Sequence, residues 1–157
     1  MKVNTGISQE NRSAVAAKLT RLLADEFVLY TKTLNAHWNL EGIDFHSVHL
    51  YFEELYNQSA EIVDDVAERI RQLGHYAPAT LKNFLQLTHL TEQDEDGNDS
   101  RSLIRKLLSD HESIIEFIRG NIDEFQDAHK DAGTSDFVTG LMEKHEKIAW
   151  MLRAHLK

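Results

Sequence analysis

The chain has no cysteine, one proline (Pro78) and seven glycines among its 157 residues. Without cysteine there is no disulfide scaffold, thiolate metal site, iron–sulfur cluster or cysteine nucleophile. A reducing compartment suits such a chain, and we expect a cytoplasmic protein. So few prolines and glycines leave few places to break a helix, and strand-like alternation of β-branched residues is missing. No eighteen apolar residues run together, so no segment is expected to span a membrane. Residues 1–13 carry no apolar stretch of the kind a signal peptide needs. Basic charge is also short: 17 Lys and Arg stand against 26 Asp and Glu, a net charge of −9. A surface that acidic repels phosphate backbones and attracts cations. This disfavours nucleic-acid binding and favours metal-cation chemistry.

What is present is helical periodicity. Apolar residues recur at three- and four-residue spacing nearly throughout. The first helix is expected over about residues 8–35, with Ala16, Leu19, Leu23, Phe27, Tyr30 and Leu34 on one stripe and His37 continuing it. The second follows Gly42, with Asp44 as N-cap, and ends at residue 73, where Gly74 suits a left-handed terminal position. Its stripe is Phe45, Val48, Phe52, Leu55, Ser59, Ile62, Val66, Ile70 and Leu73. A long connection, residues 75–99, holds a short apolar segment (Leu81, Phe84, Leu85, Leu87) that suits a small helix, then an acidic turn over 92–99. A third helix is expected over 100–129 and a fourth over 135–156, separated at Gly133. Two long helices, a crossover and two more helices make an all-α four-helix bundle that resembles the ferritin-like group. We read it as one domain over residues 1–157, with residues 1–7 as a short N-terminal tail.

The residues that carry chemistry lie at the end of the first helix and along the second. His49 and Glu53 are spaced i,i+4, as are Asp64 and Glu68, so each pair shares a face and can grip one ion. At about 100° per residue, Glu53 and Asp64 differ by only about 20° in direction. Along the axis they are about 16 Å apart, which no single metal with bonds of about 2.0–2.6 Å can bridge. Carboxylates without partners are costly to desolvate. Packing two copies of this helix antiparallel, across a two-fold axis near Gln58 and Ser59, solves both problems. His49 and Glu53 of one chain then face Asp64 and Glu68 of the other, twice over, and His37 completes each cluster. Two imidazoles and three carboxylates favour iron, with manganese or zinc as substitutes.

The segment from His37-Trp38-Asn39 through Gly42 and Phe45 to His49, followed by Asp64, Ala67, Glu68 and Arg69, resembles the signature of the Dps family, ferritin-like mini-cages of twelve subunits. The resemblance extends through most of the chain, including the Trp150-Met151-Leu152-Arg153-Ala154 ending. It implies an iron-oxidising centre between two subunits, with His37, His49, Glu53, Asp64 and Glu68 as metal ligands and catalytic residues. It also implies hydrogen peroxide as preferred oxidant, ferric mineral stored in a homododecameric cage, and protection against oxidative stress. Many family members carry Asp where this chain has Glu53. Trp38 corresponds to a candidate electron donor. No Glu-x-x-His occurs, which argues against an intrachain ferritin di-iron site.

Three further readings follow. The acidic residues Asp123, Asp127, Asp131 and Asp136 fall where family members line a three-fold pore, Asp136 being the best single candidate, and cation steering there is physically reasonable. Arg69 is read as an inter-subunit salt bridge. His111, His129 and His145 are read as hydrogen-bonded structural residues. The alternative function, a DNA-binding or nucleoid-protecting protein with a secondary metal site, lacks the Lys/Arg-rich tail that phosphate neutralisation needs. Residues 1–13 hold only Lys2 and Arg12 against Glu10, and Lys157 ends the chain, so DNA binding is expected to be weak or absent.

Overall fold

The computed structural model describes residues 3–92 and 97–157. Part of the acidic turn, residues 93–96, lies outside them. Five α-helices follow in order: α1 (Gln9–Asn39), α2 (Phe45–Gln72), α3 (Leu81–Leu87), α4 (Ser100–Arg119) and α5 (Ala132–Ala154). The architecture is an all-α four-helix bundle, with α3 as a short extra helix in the crossover. Helix α1 packs along α2 and α4 along α5, and α3 lies against α1.

The helix ends follow from local chemistry. Ser8, Thr80, Asp99 and Asp131 each accept a main-chain N–H with the side chain at the start of a helix, relieving donors that have no partner inside the helix. Asp44 occupies the N-cap position of α2 but makes no side-chain cap bond. Gly74 ends α2 with φ +89°, the left-handed conformation that its sequence position calls for. A methyl group there would meet Val3 Cγ2 at 2.6 Å, so close packing also demands glycine.

The third long helix is shorter than its periodicity suggests. Helix α4 stops at Arg119, and residues 124–128 form a separate π-helical turn. Asn121 is the reason: its amide donates to Phe117 O at 2.6 Å and accepts from Lys18 Nζ at 2.7 Å. A side chain that competes for main-chain carbonyls in this way ends a helix. The wider turn that follows still buries Phe125. Core residues of all four long helices, together with Phe84 of α3, form a continuous apolar cluster. Among the described residues, no helix is long and apolar enough to cross a membrane.

Ionisable groups also enter this core. Glu26 of α1, His111 of α4 and His145 of α5 are at most 1% exposed. His145 Nε2 donates to Glu26 Oε1 at 2.9 Å, and the two histidines meet Nδ1 to Nδ1 at 2.8 Å. Both are structural, hydrogen-bonded core residues. His129 meets Glu124 on the outside at 3.2 Å. Asp25, the neighbour of Glu26, accepts from Thr88 Oγ1, His89 N and His89 Nδ1 at 2.6–2.8 Å, pinning the crossover to α1.

Candidate metal centre

The turn between α1 and α2 folds the C-terminal end of one helix back on the N-terminal end of the next. His37, two residues before the end of α1, thereby meets His49 on the second turn of α2. Their rings stack with centroids 3.8 Å apart and planes 20° apart. Each Nδ1 lies against the other residue's main-chain carbonyl, His37 to His49 O at 2.9 Å and His49 to His37 O at 3.0 Å. A carbonyl can only accept, so each Nδ1 carries the proton. In the neutral ring the lone pair then sits on Nε2, the arrangement by which a carbonyl fixes the tautomer of a metal-binding histidine. The sequence supplies the two histidines. Only the fold makes each one the orienting partner of the other.

Phe45 stacks on the outer face of His49 at 4.9 Å. His37 is buried, whereas His49 and Glu53 are half-buried. Glu53 lies one turn beyond His49 on the same face of α2. Asp64 and Glu68 are exposed, about three and four turns further along the helix. The structure thus brings His37, His49 and Glu53 to one end of α2 and leaves Asp64 and Glu68 toward the other. Among the described residues, no three His, Asp or Glu side chains within one chain are grouped to hold a metal ion. Phe45, which stacks on His49, is exposed, as are Trp38 (69%), Ile43 and Leu50, which lie near the two histidines along the chain.

Tyr56 is an addition that the sequence reading did not single out. Its ring edge meets His37 with centroids 5.1 Å apart and planes 74° apart. Desolvation first, then the Glu53 carboxylate, raises the phenol above its ordinary pKa. The available signal was its spacing, three residues after Glu53 and seven after His49, which puts all three on one face.

Two expectations need correction. Arg69 forms its ion pair within its own chain. Its guanidinium contacts its own chain's Asp131 at 3.0 Å and Thr134 Oγ1 at 2.9 Å. Asp131 is in turn 2% exposed and caps α5 by accepting from Thr134 N at 2.9 Å and Thr134 Oγ1 at 2.6 Å. Its carboxylate is fully engaged and is no candidate for lining a pore, while Asp123, Asp127 and Asp136 are exposed.

The ferritin-like domain family matches residues 16–157 of the chain. The DNA protection during starvation protein of Helicobacter pylori is 35% identical over 88% of this chain and 95% of its own length. An uncharacterized low temperature-induced protein of Nostoc sp. is 40% identical over 99% of this chain and 87% of its own. The crystal structure of the DPS protein from Vibrio cholerae O1, described as a member of a broad superfamily of ferritin-like diiron-carboxylate proteins, superposes with a TM-score of 0.91 at 29% identity. That superposition covers 100% of this chain and 98% of the other. Fold and sequence together make this a ferritin-like protein, and within that class the chain belongs to the Dps family.

Proposed function

We propose that the protein is a ferroxidase that oxidises ferrous iron, preferably with hydrogen peroxide, and stores the ferric product inside a homododecameric cage. The centre is shared between two subunits. His37, His49 and Glu53 of one chain meet Asp64 and Glu68 of a second chain whose α2 runs antiparallel to the first. The observation that carries this reading is the reciprocal pair of Nδ1–carbonyl hydrogen bonds. It pre-orients two imidazoles as ligands beside a carboxylate, in surroundings rich in exposed apolar side chains that a partner subunit would cover.

Iron is the substrate here. Two ferrous ions each give one electron to one peroxide, which takes up two protons and leaves as two waters. Paired oxidation releases no free radical. The carboxylates favour the ferric product by charge, and the stacked imidazoles keep their geometry through the change. The net charge of −9 per chain supports cation attraction, with exposed Asp136 and its neighbours as an entry route.

The name of the Helicobacter relative speaks of DNA protection. Consuming iron and peroxide protects DNA without contact, and the acidic surface argues against direct binding. The test is stopped-flow oxidation of ferrous iron loaded anaerobically, with particle size measured on the same sample. Rapid, peroxide-accelerated oxidation in a large assembly is expected, with loss of at least about tenfold in His49→Ala or Asp64→Ala. Slow oxidation indifferent to peroxide, or an unimpaired His49→Ala variant, refutes the reading.

A further inference from the structure

Another imidazole is oriented as a donor, well away from α2. Where the crossover meets α1 and α4, His89 Nδ1 donates to Asp25 Oδ2 at 2.6 Å. Thr88 Oγ1 and His89 N donate to Asp25 Oδ1 at 2.7 and 2.8 Å. Asp25 is 1% exposed, and with three donors around it the carboxylate acts as acceptor and the ring proton stays on Nδ1. The lone pair of a neutral His89 then lies on Nε2, as in a histidine that a carboxylate prepares for a metal. Nε2 has no hydrogen-bond partner among the described residues. The ring packs against Phe117 with centroids 5.1 Å apart and planes 68° apart, and its side chain keeps 33% of its surface exposed.

Beside it opens a cavity of about 390 Å³ lined by Asp25, His89, Leu90, Ser113, Glu116 and Phe117. No residue of α2 takes part, so this place is separate from the shared centre. Glu116 is exposed, and its carboxylate is in no ion pair among the described residues, whereas Glu112 and Glu146 nearby are held by Arg153 and Arg119. Ser113 Oγ donates to Ser109 O at 2.9 Å, so its oxygen can still accept from a bound water. Arg21 Cζ stands 5.9 Å over the Phe117 ring. A cation entering here needs an anionic donor to offset that guanidinium, and Glu116 supplies one.

We propose that His89 and Glu116 form a second, peripheral metal site for a divalent transition cation of the zinc class, with Asp25 orienting His89 from behind. One imidazole nitrogen and one carboxylate suit such an ion, and water fills its other positions. Two protein donors make an open, exchangeable site, in keeping with the lack of any three-residue grouping among the described residues. Because His89 belongs to the crossover and Glu116 to α4, the bound ion fastens one to the other. The site does not depend on the ferroxidase reading.

The experiment is zinc(II) binding by equilibrium dialysis to the assembled His49→Ala protein, which lacks a proposed ligand of the shared centre. Adding His89→Asn is expected to remove one zinc ion per chain, and zinc held by other exposed histidines drops out of the difference. Asp25→Asn keeps the size of the side chain but can offer Nδ1 an N–H instead of an acceptor, which moves the ring proton to Nε2. Its zinc Kd is expected to rise about 10–100-fold. Glu116→Gln changes an exposed side chain, so folding is not at stake, and it is expected to weaken binding by at least about tenfold. Amide exchange at His89 and Leu90 should slow when zinc is added, and should not respond in the His89→Asn variant. An unchanged zinc count in His89→Asn overturns the proposal. So does an unchanged Kd in Asp25→Asn or Glu116→Gln, which would reduce His89 to an ordinary surface histidine. Zinc that binds without slowing exchange overturns the link from the crossover to α4.

Discussion

Replacing His111 by glutamine removes one titratable group from the middle of the bundle and leaves the ligands on α2 untouched. His145 Nε2 donates its proton to Glu26, so a neutral His145 has only an acceptor at Nδ1, and His111 must supply the N–H between the two rings. His111 Nε2 is then a bare acceptor, buried and without a partner among the described residues. Burial first, and then the repulsion that two protonated rings in contact would feel, holds its pKa well below the ordinary histidine value. The unfolded chain has no such restraint and takes up this proton near pH 6.5. Stability is therefore unaffected well above pH 6.5 and falls as the solution is acidified through that value, because only the unfolded state gains the proton. At pH 5.0 the loss comes to about 2 kcal/mol per chain if the folded His111 stays neutral. For a chain of this size that is roughly 4–8 °C in melting temperature. His111→Gln keeps an N–H donor for His145 and cannot titrate. The assay is thermal unfolding followed by circular dichroism from pH 7.5 to 5.0, with particle size checked at each pH. The variant is expected to lose roughly 4–8 °C less than the natural protein over that range. Parallel profiles for the two proteins refute the reasoning.

Three other outcomes follow from the fold. Asp131→Ala removes the cap of α5 and strands the Arg69 guanidinium, and urea unfolding should show a loss of about 2–4 kcal/mol. A loss below about 0.5 kcal/mol would place the importance of that pair elsewhere. Asp25→Ala deprives Thr88 and His89 of three hydrogen bonds. Amide exchange at His89 and Leu90 and proteolysis of the crossover should then accelerate, with exchange in the middle of α5 unchanged. Gly74→Ala forces a side chain into a φ of +89° and against Val3, at an expected cost of about 1 kcal/mol or more in unfolding free energy. Combining it with Val3→Ala should recover the contact part of that loss but not the backbone part.

Much of the architecture was written in the spacing of apolar residues. The stripe from Val48 to Ile70 is buried as read, and Gly74 ends α2 because no other common residue so readily adopts the conformation required there. The small helix at Leu81–Leu87 was visible as a short apolar segment between breakers. Helix α4 was read too long because the stripe of Ile118, Ile122 and Phe125 continues past its end. Periodicity registers which residues point inward, and a π-helical turn can still point Phe125 inward. It does not register that the amide of Asn121 bonds to Phe117 and Lys18.

The candidate centre divides along the same line. His37, His49, Glu53, Asp64 and Glu68 were named from residue type and helical spacing, which are local properties of the chain. The tautomers of the two histidines, the edge of Tyr56 against His37, and the turning of Arg69 onto Asp131 all join residues from different segments. So does the buried Glu26–His145–His111 chain, in which Glu26 and His145 lie far apart in sequence. Local periodicity and motif spacing reach only a few helical turns, because they rest on the regular rise and rotation of one helix. Which side chains complete one another's hydrogen bonds is settled by how the helices pack, and that was decided only when the bundle closed.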